Sequence, residues 1–166
     1  SWYDNDGTLL YRGYFDGGRL SLAPFFQMTP AQLEELLGKS ASNEVLYDGT
    51  AFLDAAEADG AATEGASDAA ASYAFGKVRM RYPQLRLSFI AAMDVSGSAF
   101  IERIELGGGP VLNRLYQELE ALTQEDSETA FKFVRGQTVD YHWNGCVYTL
   151  DLDAGGQPVA GTVTAL

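Results

Sequence analysis

Apolar and charged residues alternate strictly through Lys77-Val-Arg-Met-Arg-Tyr82, the period-two pattern of a strand with one buried face. Taking Pro83-Gln84 as a two-residue turn sets Met80 opposite Leu87 and Val78 opposite Phe89. Val78, Met80, Leu85, Leu87 and Phe89 then share one face, and Lys77, Arg79, Arg81, Arg86 and Ser88 share the other. A second turn around Val95-Ser96-Gly97 returns the chain through Phe100 to Leu106, placing Leu87 opposite Ile104 and Arg86 opposite Glu105. Upstream, a hairpin-like segment runs through Leu22. Thr29 then caps a helix that opens with Pro30, buries Leu33, Leu36 and Leu37, and stops at Gly38. Glu44 to Phe52 predicts a strand. Residues 54–71 are Ala-rich and interspersed with acids, which predicts a helical turn followed by a mobile acidic loop.

The second half repeats the sequence of elements. Gly109-Pro110 opens a helix with Val111, Leu112, Leu115, Leu119 and Leu122 on its apolar side. Strands follow at Phe131–Val134 and Val139–Trp143, then the hairpin turn Asn144-Gly145, which sets Trp143 opposite Cys146, Tyr141 opposite Tyr148 and Val139 opposite Leu150. A last turn, Ala154-Gly155-Gly156, leads into Pro158–Leu166. Asp94 and Asp153 open similar turns 59 positions apart, and the same offset relates Phe89 to Tyr148, Leu87 to Cys146 and Ile104 to Val163. The helix starts, Pro30 and Pro110, lie 80 apart. The acidic insertion matches the excess. The simplest account is an internal duplication of a helix followed by antiparallel strands.

The expected fold is therefore α+β: an antiparallel sheet with helices on one face, built from two helix-plus-meander units. A hairpin at 1–22 precedes the units at 27–106 and 107–166. The run "MTPAQLEELLGKSASNEV" followed by strands resembles the helix-then-meander unit of the β-lactamase inhibitor protein fold. Small lipoproteins of the outer-membrane assembly machinery share a related unit. The resemblance spans Gln27 to Leu166 and implies architecture alone. The inhibitor's disulfides have no counterpart in a chain with a single cysteine, Cys146, and no inhibitory contact residue carries over.

Charge narrows the function classes. A formal charge of −12 and a pI near 4.3 argue against nucleic acid, whose phosphates need a basic surface, and against anionic lipid. No run of about 18 apolar residues occurs to span a membrane, and no signal peptide is recognised. The chain begins with a serine already inside a structured motif. It is therefore read as a piece excised from a longer protein or as a processed form, from a bacterial envelope or secreted protein.

Two motifs share the first residues. Asp4-Asn5-Asp6-Gly7-Thr8 reads D-x-D-G-T, the nucleophile loop of haloacid-dehalogenase-type phosphatases, which resemblance would make Asp4 and Asp6 the catalytic, magnesium-binding carboxylates. That loop follows a buried parallel strand, and only three residues precede Asp4, so an Asp-Gly turn between strands is the better reading. Tyr11-Arg-Gly-Tyr-Phe-Asp-Gly-Gly18 reads Y-x-G-x-F-x-x-G and resembles a MORN repeat, implying attachment to a protein or membrane surface. One such repeat cannot bury its own face. Either more copies lie upstream, or the hairpin caps the α+β unit.

Three further features carry candidate chemistry. His142 and Cys146 invite a thiol–imidazole dyad, but the hairpin register sends them to opposite faces. Asp151, Asp153 and Gly155 mimic a fragment of a calcium loop without its remaining ligands. The cluster Lys77, Arg79, Arg81 and Arg86 gathers four of the 11 basic residues on one sheet face, with Tyr82 at its tip as an anchor. It reads either as internal charge balance, Arg86 against Glu105, or as a recognition surface for an acidic protein or peptide. The expected function is a non-enzymatic protein- or peptide-binding module with no cofactor and no metal. A phosphatase built on Asp4 and Asp6 and a structural cap of a MORN array are the alternatives.

Overall fold

A computed structural model describes residues 1–48, 76–93, 96 and 98–166. The fold is α+β and mostly antiparallel sheet. Two short pairs open the chain: β1 (Trp2–Tyr3) with β2 (Leu9–Tyr11), and β3 (Tyr14–Asp16) with β4 (Arg19–Ser21). Helix α1 (Pro30–Leu37) precedes β5 (Ser42–Asp48), β6 (Gly76–Tyr82), β7 (Leu87–Met93) and β8 (Ala99–Gly107). Helix α2 (Pro110–Glu125) precedes β9 (Ala130–Arg135), β10 (Thr138–Trp143), β11 (Cys146–Leu152) and β12 (Pro158–Ala165). Strands β5 to β12 form one eight-stranded sheet in the order β5-β6-β7-β8-β12-β11-β10-β9. Its two meanders therefore meet at the β8–β12 pair. The proposed acidic loop at 54–71 lies outside the described residues, as do 49–52 of the expected Glu44–Phe52 strand and Val95 and Gly97 of the second turn.

The two described helices form where their caps and apolar spacing direct. Thr29 accepts from the Gln32 backbone N–H while the Gln32 side chain accepts from Thr29, a reciprocal cap. Gly38, at φ 85°, terminates α1. Leu33 of α1 and Val111, Leu112, Leu115, Leu119 and Leu122 of α2 are all buried. At Gly161 a Cβ would come within 2.7 Å of Leu150 and 3.2 Å of Leu112. The missing side chain is what lets α2 lie this close to β12.

The second meander keeps the expected register: Trp143 pairs with Cys146, Tyr141 with Tyr148 and Val139 with Leu150. Asn144 and Gly145 both hold positive φ, at 54° and 77°, as the turn requires. The first meander is shifted by two residues. Met80 pairs with Phe89, not Leu87, and Phe89 with Ile104. The connection is a 3₁₀ turn, Pro83–Leu85, closed by Arg86 in the left-handed region at φ 56°. It buries Leu85 and takes Arg86 out of the strand. A shift of two preserves the faces, so the apolar set still points inward.

The N-terminal segment is part of the same core. Tyr11, Leu20, Leu22 and Phe25 are buried in one cluster with Phe89, Leu115 and Tyr148. The Leu22 N–H donates to the Tyr148 hydroxyl, the Leu20 N–H donates to Glu118 of α2, and Asn144 donates to Ser21. The Arg114 guanidinium lies 4.8 Å over the Trp2 ring. The Y-x-G element has a steric cause: a Cβ on Gly13 would sit 2.4 Å from the Tyr11 hydroxyl and 2.8 Å from the Phe25 ring.

Candidate functional site

Both described helices and the N-terminal segment pack on one face of the sheet. The other face presents the alternate residues. On the first meander these include Lys77, Arg79 and Arg81 of β6, aligned as the sequence predicts. Their charges are satisfied within the chain. Lys77 reaches Glu102 at 2.8 Å, and Arg81 reaches Glu44 at 3.0 Å. Arg79 spans two carboxylates, Glu44 at 2.8 Å on the neighbouring strand and Glu105 at 2.7 Å beyond β7. Glu44 is held below the usual carboxylate range by hydrogen bonds from Arg81 and Arg79. Each member of the row is paired within the chain, and the partner of Glu105 is Arg79, not Arg86.

The other two members of the expected cluster lie elsewhere. Tyr82 alternates to the helix side, is 6% exposed, packs edge-on against Phe89 and donates its hydroxyl to the Gly38 carbonyl. Burial, with the nearby Glu34 carboxylate, pushes its phenol up to about 12. It is not an anchor at the tip of the basic face. Arg86 sits in the left-handed turn and donates to the Gly108 carbonyl at 3.2 Å.

The second meander carries a different surface on the same face. His142 pairs with Phe131, and Asp140 with Phe133, so Phe131, Phe133 and His142 share one side. The imidazole stacks on Phe131 with ring centroids 4.8 Å apart and 11° between planes. Phe133 meets both rings edge-on. Phe131 and Phe133 are 46% and 56% exposed. Beside them Arg135 grips Asp140 through two hydrogen bonds, at 2.8 and 3.1 Å, and Thr149 donates to the same carboxylate. Those contacts, Arg135 first, hold the Asp140 carboxyl below its usual range. The patch is an apolar centre bordered by the hydrogen-bonded Arg135, Asp140 and Thr149. Isolated exposed apolar residues are unremarkable, but three rings in mutual contact, two on the edge strand β9 and one on β10, are a contiguous patch.

The sequence contained a signal for this patch. Gly136-Gln137 is a two-residue turn, with Gly136 at φ 63° and Arg135 paired to Thr138. Reading it as such would have set the β9–β10 register and aligned both phenylalanines with His142.

The remaining candidates have structural geometry. His142 lies on the open face, while Cys146 is buried on the helix side, where burial pushes its thiol up to about 11. The Asp4 carboxylate accepts from the backbone N–H of Asp6 and of Thr8, both at 2.9 Å, in the turn joining β1 to β2. That carboxylate orders a hairpin, and β1 is a two-residue antiparallel strand where a phosphatase loop needs a buried parallel one. Asp153 likewise accepts from the N–H groups of its own turn. Among the described residues no helix is long and apolar enough to cross a membrane.

Comparison with protein-family models, curated proteins and solved structures finds no match to this chain.

Proposed function

We propose that this chain is a non-enzymatic binding module that docks a protein or peptide across the sheet face on which no helix packs among the described residues. The observation that carries the reading is the Phe131–Phe133–His142 ring cluster, with both phenylalanines exposed, on a strand that among the described residues is the edge of the sheet. Large rings at the centre of a patch, ringed by hydrogen-bonded polar groups, are where interface energy concentrates. Lys77, Arg79 and Arg81 share this face but lie on β6, near the opposite edge of the sheet. The polar border of the cluster is Arg135 with Asp140 and Thr149, and the paired row on β6 is not part of it.

The architecture behind the surface is read as a tandem duplication. The pairs Phe89–Ile104 and Leu87–Leu106 recur 59 positions later as Tyr148–Val163 and Cys146–Ala165. A helix precedes each four-strand meander, and the meanders join edge to edge. In this it resembles the β-lactamase inhibitor protein fold, which favours an envelope or secreted bacterial protein. The test is a co-purification from the native host. Phe131→Ser/Phe133→Ser should lose a partner that the wild-type chain recovers, while Val134→Ser on the other side of β9 keeps it. Equal recovery by all three would remove the proposal.

A further inference from the structure

We infer that a pocket at the junction of β2, the end of α1 and the β6–β7 turn binds a small carboxylate carrying an apolar tail. The pocket has a volume of about 290 Å³, at the small end of the range for ligand sites, about 300–1,000 Å³. Leu9, Leu37 and Leu85 supply apolar lining, and Arg12 and Lys39 also line it.

The charge pattern selects the ligand. Of the 11 basic residues, Arg19, Lys77, Arg79, Arg81, Arg114, Lys132 and Arg135 each hold a carboxylate, and Arg86 holds a carbonyl. Among the described residues, that leaves Arg12, Lys39 and Arg103 without an acidic partner. In a chain of charge −12, where acids outnumber bases twofold, two of those three cations converge on one apolar pocket. Glu34 acts on the Tyr82 phenol, and among the described residues it forms no ion pair with Arg12 or Lys39. Tyr82 spends its proton on Gly38 and does not compete for the anion as a donor. Lys39 follows the C-terminal end of α1, whose partial negative charge it offsets. Arg12 is therefore the main carboxylate contact and Lys39 the secondary one. An apolar tail meeting leucines and a carboxylate meeting a guanidinium use both parts of the pocket.

Tyr82 and Leu85 belong to the buried side of the sheet, so this site is independent of the open face. The test is an amide chemical-shift titration of the labelled protein with octanoate, 1-octanol and octyltrimethylammonium, which share one tail. Octanoate should shift the amides around Arg12 and Lys39 and bind about tenfold more tightly than octanol, with the cation weakest. Arg12→Gln should remove most of the octanoate preference and Lys39→Gln part of it, with the remaining amide spectrum unchanged as proof of fold. No shift at these residues with octanoate, equal affinity for octanoate and octanol, or an Arg12→Gln/Lys39→Gln variant that keeps the preference would each overturn the assignment.

Discussion

Asp4 and Asp153 hold the same turn at opposite ends of the chain. Each accepts two backbone N–H groups on Oδ1, from Asp6 and Thr8 at 2.9 Å in one case and from Gly155 and Gln157 at 2.9 and 3.0 Å in the other. Each closes its hairpin with the backbone pair Asp4–Thr8 or Asp153–Gln157. Gly7 and Gly156 occupy the matching left-handed position at φ 83° and 80°. A phosphatase-like motif and a calcium-loop-like motif are thus one piece of turn chemistry. Replacing either aspartate by alanine should cost about 1 kcal/mol in urea unfolding, the net worth of such hydrogen bonds. Asparagine, which keeps the acceptor, should cost less at both positions. Hydrolysis of an aryl phosphate with Mg²⁺ that disappears in Asp4→Asn would contradict this reading.

Gly13 tests the packing of the N-terminal segment. Its absent Cβ leaves room for the Tyr11 hydroxyl and the Phe25 ring, and both residues belong to the common core. Gly13→Ala should therefore destabilise the whole chain by about 1–3 kcal/mol, the cost of overpacking. Denaturation should remain one transition. A separate early transition of the first residues alone would show that they are a detachable hairpin.

Cys146 is buried, and desolvation raises its thiol to about 11. Only the thiolate reacts with alkylating agents. Iodoacetamide should leave the native protein unmodified over times that fully label it in urea. Rapid labelling without denaturant would place the thiol at the surface.

Acid should weaken the fold through specific carboxylates. Asp140 lies below its ordinary value of 3.8 through Arg135 and Thr149, and Glu44 below 4.5 through Arg81 and Arg79. A group with a lower pKa folded than unfolded adds stability that is complete above the unfolded value and is lost as pH falls through the folded one. The melting temperature should thus decline as pH drops past these ordinary values. Asp140→Asn and Glu44→Gln should each flatten that decline, and an unchanged acid slope would dismiss these pairs as contributors.

Much of this molecule was legible because its signals are local. Thr29-Pro30 with Gly38 bounds α1, the leucine spacing of α2 marks its buried face, and Asn144-Gly145 fixes the β10–β11 register. The register of β6 and β7 was not, because Arg86 takes a left-handed conformation that a non-glycine residue rarely adopts. The anchoring of residues 1–22 in the core depends on Leu22 meeting Tyr148, 126 positions away, a contact with no local pattern. The candidate surface was half legible. Alternation aligned Lys77, Arg79 and Arg81, but their neutralisation by Glu44, Glu102 and Glu105 depends on strand order across the sheet. The Phe131–His142 stack likewise needed the β9–β10 register.

Phe133 and Val134 offer the most direct test of the proposed docking face. They are neighbours on β9, comparably exposed at 56% and 63%, and alternation sends them to opposite sides of the sheet. A photoreactive residue at each position, irradiated in native extract, asks which side meets the partner. Crosslinking through position 133, with position 134 silent, is the predicted result. Equal yields from both positions, or crosslinking through 134 alone, would contradict a partner laid across the face that carries Phe131, Phe133 and His142.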